Sequence, residues 1–270
     1  MQRSRQQLAS EKAFIDTTIL AEVLLKTGPS HDAAIRALGR YKETLLPVYA
    51  IKEWKRSQLA TYVLIFNQLT RTRSFTQTNI WLSKFFHRPR MQSTSREAEA
   101  LATLHLPSAP MSPSSPDEEL ADRFRLAYRT LIHTSWESRR SVTSATVMDL
   151  ECYVESGPKE MPDGQLNINP RDCGGDRECC LARRLRKDAA ALMKMRESIP
   201  LSGRPEDSKR REVLKKLAVH PTVMFDRKDC RALGDAYFAF FAPDGSEILT
   251  TNIKDHAPLA NALGKTAAAP

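Results

Sequence analysis

The sequence has no apolar run of membrane-spanning length, and its first residues, MQRSRQQLASEK, lack the apolar stretch of a secretory signal. We therefore expect a cytoplasmic protein with no membrane partner. With 270 residues, the chain can bury an ample core. It can do so as one large domain or as a compact domain that carries a big insertion.

Cysteine is scarce, and its count of five is odd. Cys173, Cys179 and Cys180 cluster in DCGGDRECC, whereas Cys152 and Cys230 stand alone. An odd count without a repeated Cys-x-x-Cys argues against a disulfide framework. No nearby histidine offers the fourth ligand of a zinc site. We therefore expect reduced thiols that pack around a turn and a helix start.

The six histidines lack the spacings that metal sites use, since they form neither an i,i+4 pair nor a Glu-flanked metalloprotease pattern. Only His256 lies near a candidate site, because it follows Asp255 directly. Its position favours an ordinary residue in the first turn of a helix. We expect none of the histidines to have a chemical role.

Basic residues are in excess, with 41 Lys and Arg against 32 Asp and Glu, a net charge of +9 and a pI of about 9.4. Such an excess concerns association and suggests an anionic partner. Two stretches concentrate it, and each can be a solvated helix face or a phosphate-binding surface. Aromatic residues interleave the first stretch, where they can stack bases or belong to the core. The first stretch contains Arg71, Arg73, Lys84, Arg88 and Arg90 with Phe75, Trp81, Phe85 and Phe86; the second contains Arg183, Arg184, Arg186 and Lys187.

Near the end of the chain, Leu233, Ala236, Tyr237, Phe240 and Phe241 recur with a period near 3.6 and predict a helix that carries Asp235. A carboxylate among so many apolar groups is costly unless a positive partner meets it, and a divalent cation is one candidate. The turn Pro243-Asp244-Gly245 and a strand over 247–250 follow. Asp255 can then reach the same point from the end of that strand.

The N-terminal part supplies two further acids at comparable places. The run Ala13-Phe14-Ile15 predicts a strand that ends on Asp16, and a strand over 45–49 leads into a helix with Glu53 in its first turn. Ligands of open α/β sheets bind outside the carboxyl ends of the strands, where Asp16 would lie. Glu53 has a second interpretation, as a first-turn acid that the helix dipole favours.

Elsewhere the patterns predict mostly helices. Ser30 is a candidate N-cap for a helix that ends near Gly39. Residues 145–148 resemble a strand, and residues 157–170 form a loop rich in Pro, Gly and Asn. The other predicted helices cover residues 95–104, 117–136, 177–199 and 208–219.

Four segments together resemble the PIN-domain nucleases, a family that includes the toxins of many toxin–antitoxin pairs. The segments are FIDTTIL around Asp16, VYAIKEW around Glu53, LGDAYFAFFA around Asp235, and ILTTNIKDHAPLA around Asn252 and Asp255, and their order also matches. The resemblance covers residues 10–66 and 220–264.

The resemblance implies an α/β fold of three layers with a mainly parallel central sheet, and the helical patterns between its two parts predict a large, mostly helical insertion. The catalytic domain would consist of residues 10–69 and 220–264, and the insertion of residues 70–219. The resemblance also implies a metal-dependent endonuclease of toxin or defence type that cleaves single-stranded RNA, with DNA as the other candidate substrate, a protein inhibitor or antitoxin as a further partner and a homo-oligomer left open. It assigns Mg²⁺ or Mn²⁺ to Asp16, Glu53, Asp235 and Asp255, with Thr251 and Asn252 in support.

Many relatives in that family carry an acid where this chain has Asn252, so either Asn252 or Asp255 completes the site. A haloacid-dehalogenase phosphatase also begins with an Asp at a strand end, but its motif requires a second Asp where this chain has Thr18. A binding module without catalysis, specific for nucleic acid or for a protein partner, is the main alternative to the nuclease.

Overall fold

The computed structural model of the protein describes residues 10–86, 116–147, 150, 153, 155–168, 179–201, 204–220, 225 and 227–270. The predicted helix over 95–104 lies outside these residues. The same holds for the predicted roles of Arg88, Arg90, Cys152 and Cys173.

The described residues form two sheets. The strands are Lys12–Ile15 (β1), Glu43–Pro47 (β2), Ala145–Val147 (β3), Lys159–Glu160 (β4), Leu166–Asn167 (β5), Ser246–Leu249 (β6) and Thr266–Ala268 (β7). Five strands pair in parallel in the order β3-β2-β1-β6-β7, while β4 and β5 form an antiparallel pair. The expectation of an α/β fold with a mainly parallel central sheet is thus confirmed.

Helices make up most of the remaining described chain. They are Thr17–Leu25 (α1), Pro29–Leu38 (α2), Val48–Trp54 (α3), Ala60–Thr72 (α4), Phe75–Phe86 (α5), Pro116–Ser138 (α6), Cys180–Leu185 (α7), Ala189–Ser198 (α8), Pro205–Val219 (α9), Arg227–Ala232 (α10), Gly234–Phe241 (α11) and Ile253–Ala262 (α12). None of the helices in these described ranges combines the length and the apolar character needed to cross a bilayer.

The strand order creates a switch point between β1 and β6. The connection that leaves β1 leads to β2 on one side, and the connection that leaves β6 leads to β7 on the other. Because such parallel connections are right-handed, the helices that follow β1 and the helix that follows β6 cover opposite faces of the sheet. Ligands of open α/β sheets bind in the crevice at the carboxyl ends of the strands beside such a switch point.

β1 lies at the centre of the sheet, with β2 and β6 as its neighbours. Phe14 pairs with Leu45 on one side and with Ile248 on the other. Ala13, Phe14 and Ile15 are all fully buried. A parallel strand that is covered on both faces reads as a continuous apolar run, which explains why the sequence predicts this strand well.

Several predicted boundaries differ from the structure, each for a local reason. Ser30 is not an N-cap, because α2 already begins at Pro29 behind Gly28, whose φ is 87°. The helix predicted over 177–199 is two helices, since the side chain of Asp188 accepts a hydrogen bond from the backbone N–H of Ala191 and so begins α8. The helix predicted around Asp235 is α11, and Leu233, which the pattern included in it, lies between α10 and α11.

An aromatic cluster fixes α11 to the sheet. Tyr237 stacks on Tyr49 of α3 with ring centroids 4.8 Å apart, and Phe238 meets Phe14 of β1 edge to face at 6.0 Å. Aromatic pairs of this kind contribute about 0.5–1.5 kcal/mol each beyond their buried area. Asp235 lies in the first turn of the same helix, so this cluster also determines where its carboxylate lies.

Helices α3 and α4 are joined without a loop by one turn of π-helix, Lys55–Leu59. Such an inserted turn is common next to functional sites, because it shifts the faces of the two flanking helix segments relative to each other. Glu53 lies just before the inserted turn. Trp54, between Glu53 and the inserted turn, is buried and stacks on Trp136 of α6, with ring centroids 6.3 Å apart.

The contact between Gly234 and Tyr49 provides a test of this packing. A Cβ at position 234 would lie 2.5 Å from the Tyr49 hydroxyl oxygen, so Gly234→Ala should reduce the free energy of unfolding by about 1–3 kcal/mol in urea denaturation. Gly39→Ala is the control, because its Cβ would meet no atom closer than 3.6 Å. Tyr49→Phe should recover part of the loss in the Gly234→Ala background. Equal effects at positions 39 and 234 would contradict this description of the packing.

Candidate active site

Asp16 follows β1 directly and is the N-cap of α1. Its Oδ1 accepts a hydrogen bond from the backbone N–H of Thr17 at 2.7 Å, and its Oδ2 accepts bonds from the hydroxyls of Thr18 and Thr250, also at 2.7 Å. Only 3% of Asp16 is exposed. Because Thr250 follows β6, these bonds join the carboxyl ends of the two central strands.

Glu53 of α3 lies beside Asp16. Its Oε2 accepts a hydrogen bond from the Thr17 hydroxyl at 2.7 Å, so adjacent threonines hold the two acids. Burial, followed by the charge of Asp16 and then that of Asp235, raises the pKa of Glu53 to about 7, while Thr17 and His256 oppose the rise. The Glu53 carboxyl therefore shares one electrostatic environment with Asp16 and Asp235.

Asp235 reaches this environment from α11. The ring of His256 joins it to Asp16, since His256 Nε2 lies 3.4 Å from Asp235 Oδ1 and 3.6 Å from Asp16 Oδ2. Burial raises the pKa of Asp235, against the lowering charges of His256 and Arg210. The carboxylates of Asp16 and Asp235 thus face a common point, as the sequence predicts.

Asp255 lies in the first turn of α12, and both of its oxygens are engaged. Oδ1 lies 3.0 Å from Arg204 Nη2 and 3.1 Å from Arg210 Nη1. Oδ2 accepts bonds from Arg210 Nη2 at 3.2 Å and from Asn252 Nδ2 at 2.8 Å. Burial raises the pKa of Asp255, but the bonds from Arg210 and Asn252 outweigh it and hold the pKa at about 2.

Arg210 of α9 connects Asp255 with Asp235. Its Nη2 lies 2.5 Å from Asp235 Oδ2, and its Nη1 lies 3.4 Å from Oδ1 of Asp207. Asp207 is buried and also binds Arg204 through two bonds of 2.7 and 3.0 Å. A chain of ion pairs therefore runs from α9 into the acidic cluster.

The acids of the cluster are the type of ligand that Mg²⁺ and Mn²⁺ bind, but they are not arranged as a metal site. Carboxylate oxygens are the ligands these ions prefer. Burial raises the pKa values of Glu53 and Asp235, and the charges of neighbouring carboxylates add to the rise. However, the described residues contain no group of three Asp, Glu, His or Cys arranged to hold a metal ion. In addition, the donors on Asp255 leave neither of its oxygens open.

The supporting residues of the predicted site take different roles. Asn252 donates its side-chain amide to Asp255, so the two alternatives for the fourth ligand are bonded to each other. The Asn252 backbone N–H donates to the Thr250 hydroxyl at 2.9 Å. Thr251 is exposed, and its backbone N–H donates to the Thr18 hydroxyl at 3.1 Å. The segment after β6 is therefore tied to Asp16 through hydroxyl groups.

The second basic stretch lies close to this region. Arg183 and Arg184 belong to α7, which contacts α11, the helix of Asp235, and Arg186 and Lys187 follow in the next turn. Arg183 and Lys187 are exposed. In the first basic stretch, Phe75 stacks on Phe124 with centroids 4.8 Å apart, which favours a core role for that aromatic residue.

Among the described residues, Cys179, Cys180 and Cys230 form no disulfide. Cys180 begins α7 and is buried. Cys230, which stands alone in the sequence, hydrogen-bonds with Cys179 in the fold, and this bond is the main cause that lowers the pKa of Cys179 to about 7.

Three residues of the cluster were not predicted from the sequence. His256, expected to have no role, is 1% exposed and lies between two of the acids. Arg204 and Arg210 stand in the sequence as ordinary members of a basic run. Their spacing around Asp207, at i, i+3 and i+6, indicates one helix face, but nothing local indicates that this face meets Asp235 and Asp255.

Two carboxylates of the cluster should affect stability in opposite directions in metal-free protein. The pKa of Glu53 is about 7 in the fold against an ordinary 4.5, so the folded state binds the proton more tightly. The free energy of unfolding should therefore fall by up to about 3 kcal/mol as the pH rises from 4.5 to 7. Glu53→Gln should lack this fall when urea unfolding is measured across that range with a chelator present.

Asp255→Asn should have the opposite effect. The pKa of Asp255 is held at about 2 against an ordinary 3.8, so its contribution is present above 3.8 and is lost as the pH falls through 2. The substitution should cost about 1–2 kcal/mol at neutral pH in the same unfolding assay, with partial screening by solvent included. If both substitutions changed stability in the same direction above pH 7, this account of the cluster would be wrong.

Comparison with known proteins adds no family to this description. No protein-family model, no curated protein and no solved structure matches the chain. The arrangement of side chains at the carboxyl ends of the strands is therefore the basis for a functional proposal.

Proposed function

We propose that the protein is a metal-dependent endonuclease on a PIN-like fold, which hydrolyses phosphodiester bonds of single-stranded RNA. The observation that supports this most is the approach of His256 Nε2 to both Asp16 and Asp235, at 3.6 and 3.4 Å. It means that acids from a strand end and from a separate helix face one point beside the switch point of the sheet. Glu53 shares the environment of that point.

Asp16 and Asp235 would hold Mg²⁺ or Mn²⁺ directly, and Glu53 would orient a water on the ion, which would supply positive charge to a phosphate oxygen and acidify that water. Asp16 is positioned for this role by hydrogen bonds from Thr17, Thr18 and Thr250, which leave its carboxylate in a fixed orientation. The aromatic contacts of α11 fix Asp235 in the same way. Because such ligands are already in position, no free energy is needed to reorganise them during the reaction.

Glu53 is the residue placed to orient the attacking water and accept its proton. Its Oε2 is held by Thr17, and the carboxyl lies beside Asp16. As the water oxygen bonds to phosphorus, the bond from phosphorus to the leaving oxygen breaks. The leaving oxygen takes up a proton from solvent, and Glu53 releases to solvent the proton that it took from the water. The products are one phosphate monoester and one hydroxyl end.

The cations of the α7 region, of which Arg183 and Lys187 are exposed, would bind the phosphates of the substrate beside the cleavage point. Arg183, Arg184, Arg186 and Lys187 lie close together near α11, so a strand bound there would lead toward Asp235. RNA is proposed as the substrate class, and single-stranded DNA is the comparison substrate in each assay. A protein inhibitor would bind over the same acids.

A binding module without catalysis is the second candidate. Two observations favour it. Arginine side chains bind Asp255, and no three Asp, Glu, His or Cys residues in the described part of the chain are arranged to hold a metal ion. In this case the acids would serve the internal ion pairs, and the basic surface alone would bind nucleic acid. Metal-dependent cleavage distinguishes the two candidates.

Removal of one metal ligand should abolish cleavage. With Mn²⁺ or Mg²⁺, Asp16→Asn and Asp235→Asn should each reduce the cleavage rate of an RNA oligonucleotide by about 100-fold or more, because several kcal/mol of charge stabilisation is removed. Asp32→Asn, an exposed acid of α2, makes the same chemical change away from the site and should retain full activity. Thermal unfolding checks that each variant folds.

The nuclease proposal fails if the parent protein cleaves neither RNA nor DNA with either metal and its melting temperature does not respond to them. Ligand binding to the folded state alone raises the melting temperature, so an unchanged melting temperature means that no metal binds. Binding of oligonucleotide without cleavage would then support the binding module.

The basic surface has a separate test in the salt dependence of oligonucleotide binding. Arg183→Glu with Arg184→Glu should weaken binding and reduce the slope of log K against log salt by about 0.7 for each phosphate that the protein no longer neutralises. Arg36→Glu with Arg40→Glu changes the net charge equally near the amino end of β2, and should leave the slope unchanged. Equal slopes for both pairs would assign the α7 cations to a solvated face.

A further inference from the structure

The guanidinium of Arg210 lies where the acidic cluster would otherwise need a cation. It binds both oxygens of Asp255, at 3.1 and 3.2 Å, and its Nη2 lies 2.5 Å from Asp235 Oδ2. Only 16% of its side chain is exposed. A planar fork that binds two carboxylates at once is a strong counter-ion, especially where water is largely excluded.

These bonds compete with metal binding. Each oxygen of Asp255 already has two donors, and Asp235 Oδ2 points at a nitrogen that repels a cation. A divalent ion on Asp235 would stand next to the guanidinium, and the two positive charges would repel each other in a medium of low dielectric constant. The guanidinium of Arg210 and a divalent ion therefore compete for the same carboxylate oxygens.

We propose that Arg210 competes with the metal for Asp235 and Asp255, so that a divalent cation binds these acids only by displacing this guanidinium. The proposal rests on the proposed metal site of the nuclease. It adds a regulatory contact within the chain, which the acids themselves do not supply.

Displacement of Arg210 would also affect how α9 is docked, because Arg210 belongs to this helix. Its ion pairs join α9 to α11 through Asp235 and to α12 through Asp255. Arg204, just before α9, adds one bond to Asp255. Exchange of the guanidinium for a metal removes bonds that dock the first turns of α9, so metal binding should loosen this end of the helix.

Arg210 is the main competitor, whereas Arg204 has a supporting role. Arg210 binds both Asp235 and Asp255, and 16% of its side chain is exposed, whereas Arg204 binds Asp255 with 40% of its side chain exposed. The charge of Arg204 is therefore better screened. Arg204 also keeps two bonds to Asp207, which would hold it in place when Asp255 is released.

The test measures Mn²⁺ affinity by calorimetric titration of the full chain at about pH 8, where carboxylates are ionised. Arg210→Gln should bind Mn²⁺ about tenfold or more tightly than the parent, a change of about 1.4 kcal/mol. Lys215→Gln is the matched control, because Lys215 is an exposed residue of the same helix and its removal changes the net charge equally. Its affinity should change by less than about threefold, since exposed charges are screened.

Arg210→Lys provides a second arm that keeps the charge but removes the fork, and it should bind Mn²⁺ with intermediate affinity. It also keeps the test decisive if Arg210→Gln fails to fold. Mn²⁺ should in addition increase amide hydrogen exchange over the first turns of α9 in the parent protein. A merely structural arginine would not produce a metal-dependent loosening of its own helix.

Weaker or unchanged Mn²⁺ binding in both Arg210 variants, with binding in the parent, would overturn the competition and leave the nuclease proposal intact. Tighter binding by the variants without cleavage by any form of the protein would support the competition and refute the nuclease. If neither the parent nor any Arg210 variant binds Mn²⁺, both proposals fail.

Discussion

The carboxyl ends of β1 and β6 bring like charges together, and the surrounding structure has to reconcile them. Unit charges a few ångströms apart repel by several kcal/mol in a partly buried cleft. The chain uses a different solution for each acid. Hydroxyl and amide donors surround Asp16, proton retention relieves Glu53, and guanidinium groups neutralise Asp255. Most of these solutions require a neighbour from another part of the fold.

The part of the site that depends on local sequence was predictable. Ala13, Phe14 and Ile15 form a continuous apolar run because β1 is buried on both faces, and the residue after such a strand must lie at its carboxyl end. The same reasoning placed Asp255 after β6. Strand order then brings Asp16 and Thr250 together, and the parallel register of β1 with β6 fixes that approach.

The part that depends on long-range pairing was not predictable. Arg210 and Asp255 are 45 residues apart, and no local pattern distinguishes this arginine from its neighbours on α9. The predicted helix boundaries were wrong for a related reason. The sequence pattern over 177–199 does not reveal that Asp188 caps a new helix. His256 was missed because a single histidine on a helix has no periodic signal, although its position after Asp255 placed it close.

The basic residues of α9 show that the number of charges in a sequence does not give the number of charges available at the surface of the fold. Lys209 and Lys216 bind buried Asp229 at 3.0 and 3.2 Å, so a count of charges overstates the surface that this helix offers to phosphate. A cation that neutralises a buried acid cannot bind substrate without exposing that acid, so its release has to be coupled to the arrival of another positive charge. On α7 and just after it, Arg183 and Lys187 are exposed. In the proposed nuclease, burial would thus separate the roles of α7 and α9, because a cation acts as a counter-ion where water is excluded and would contact phosphate where it is exposed.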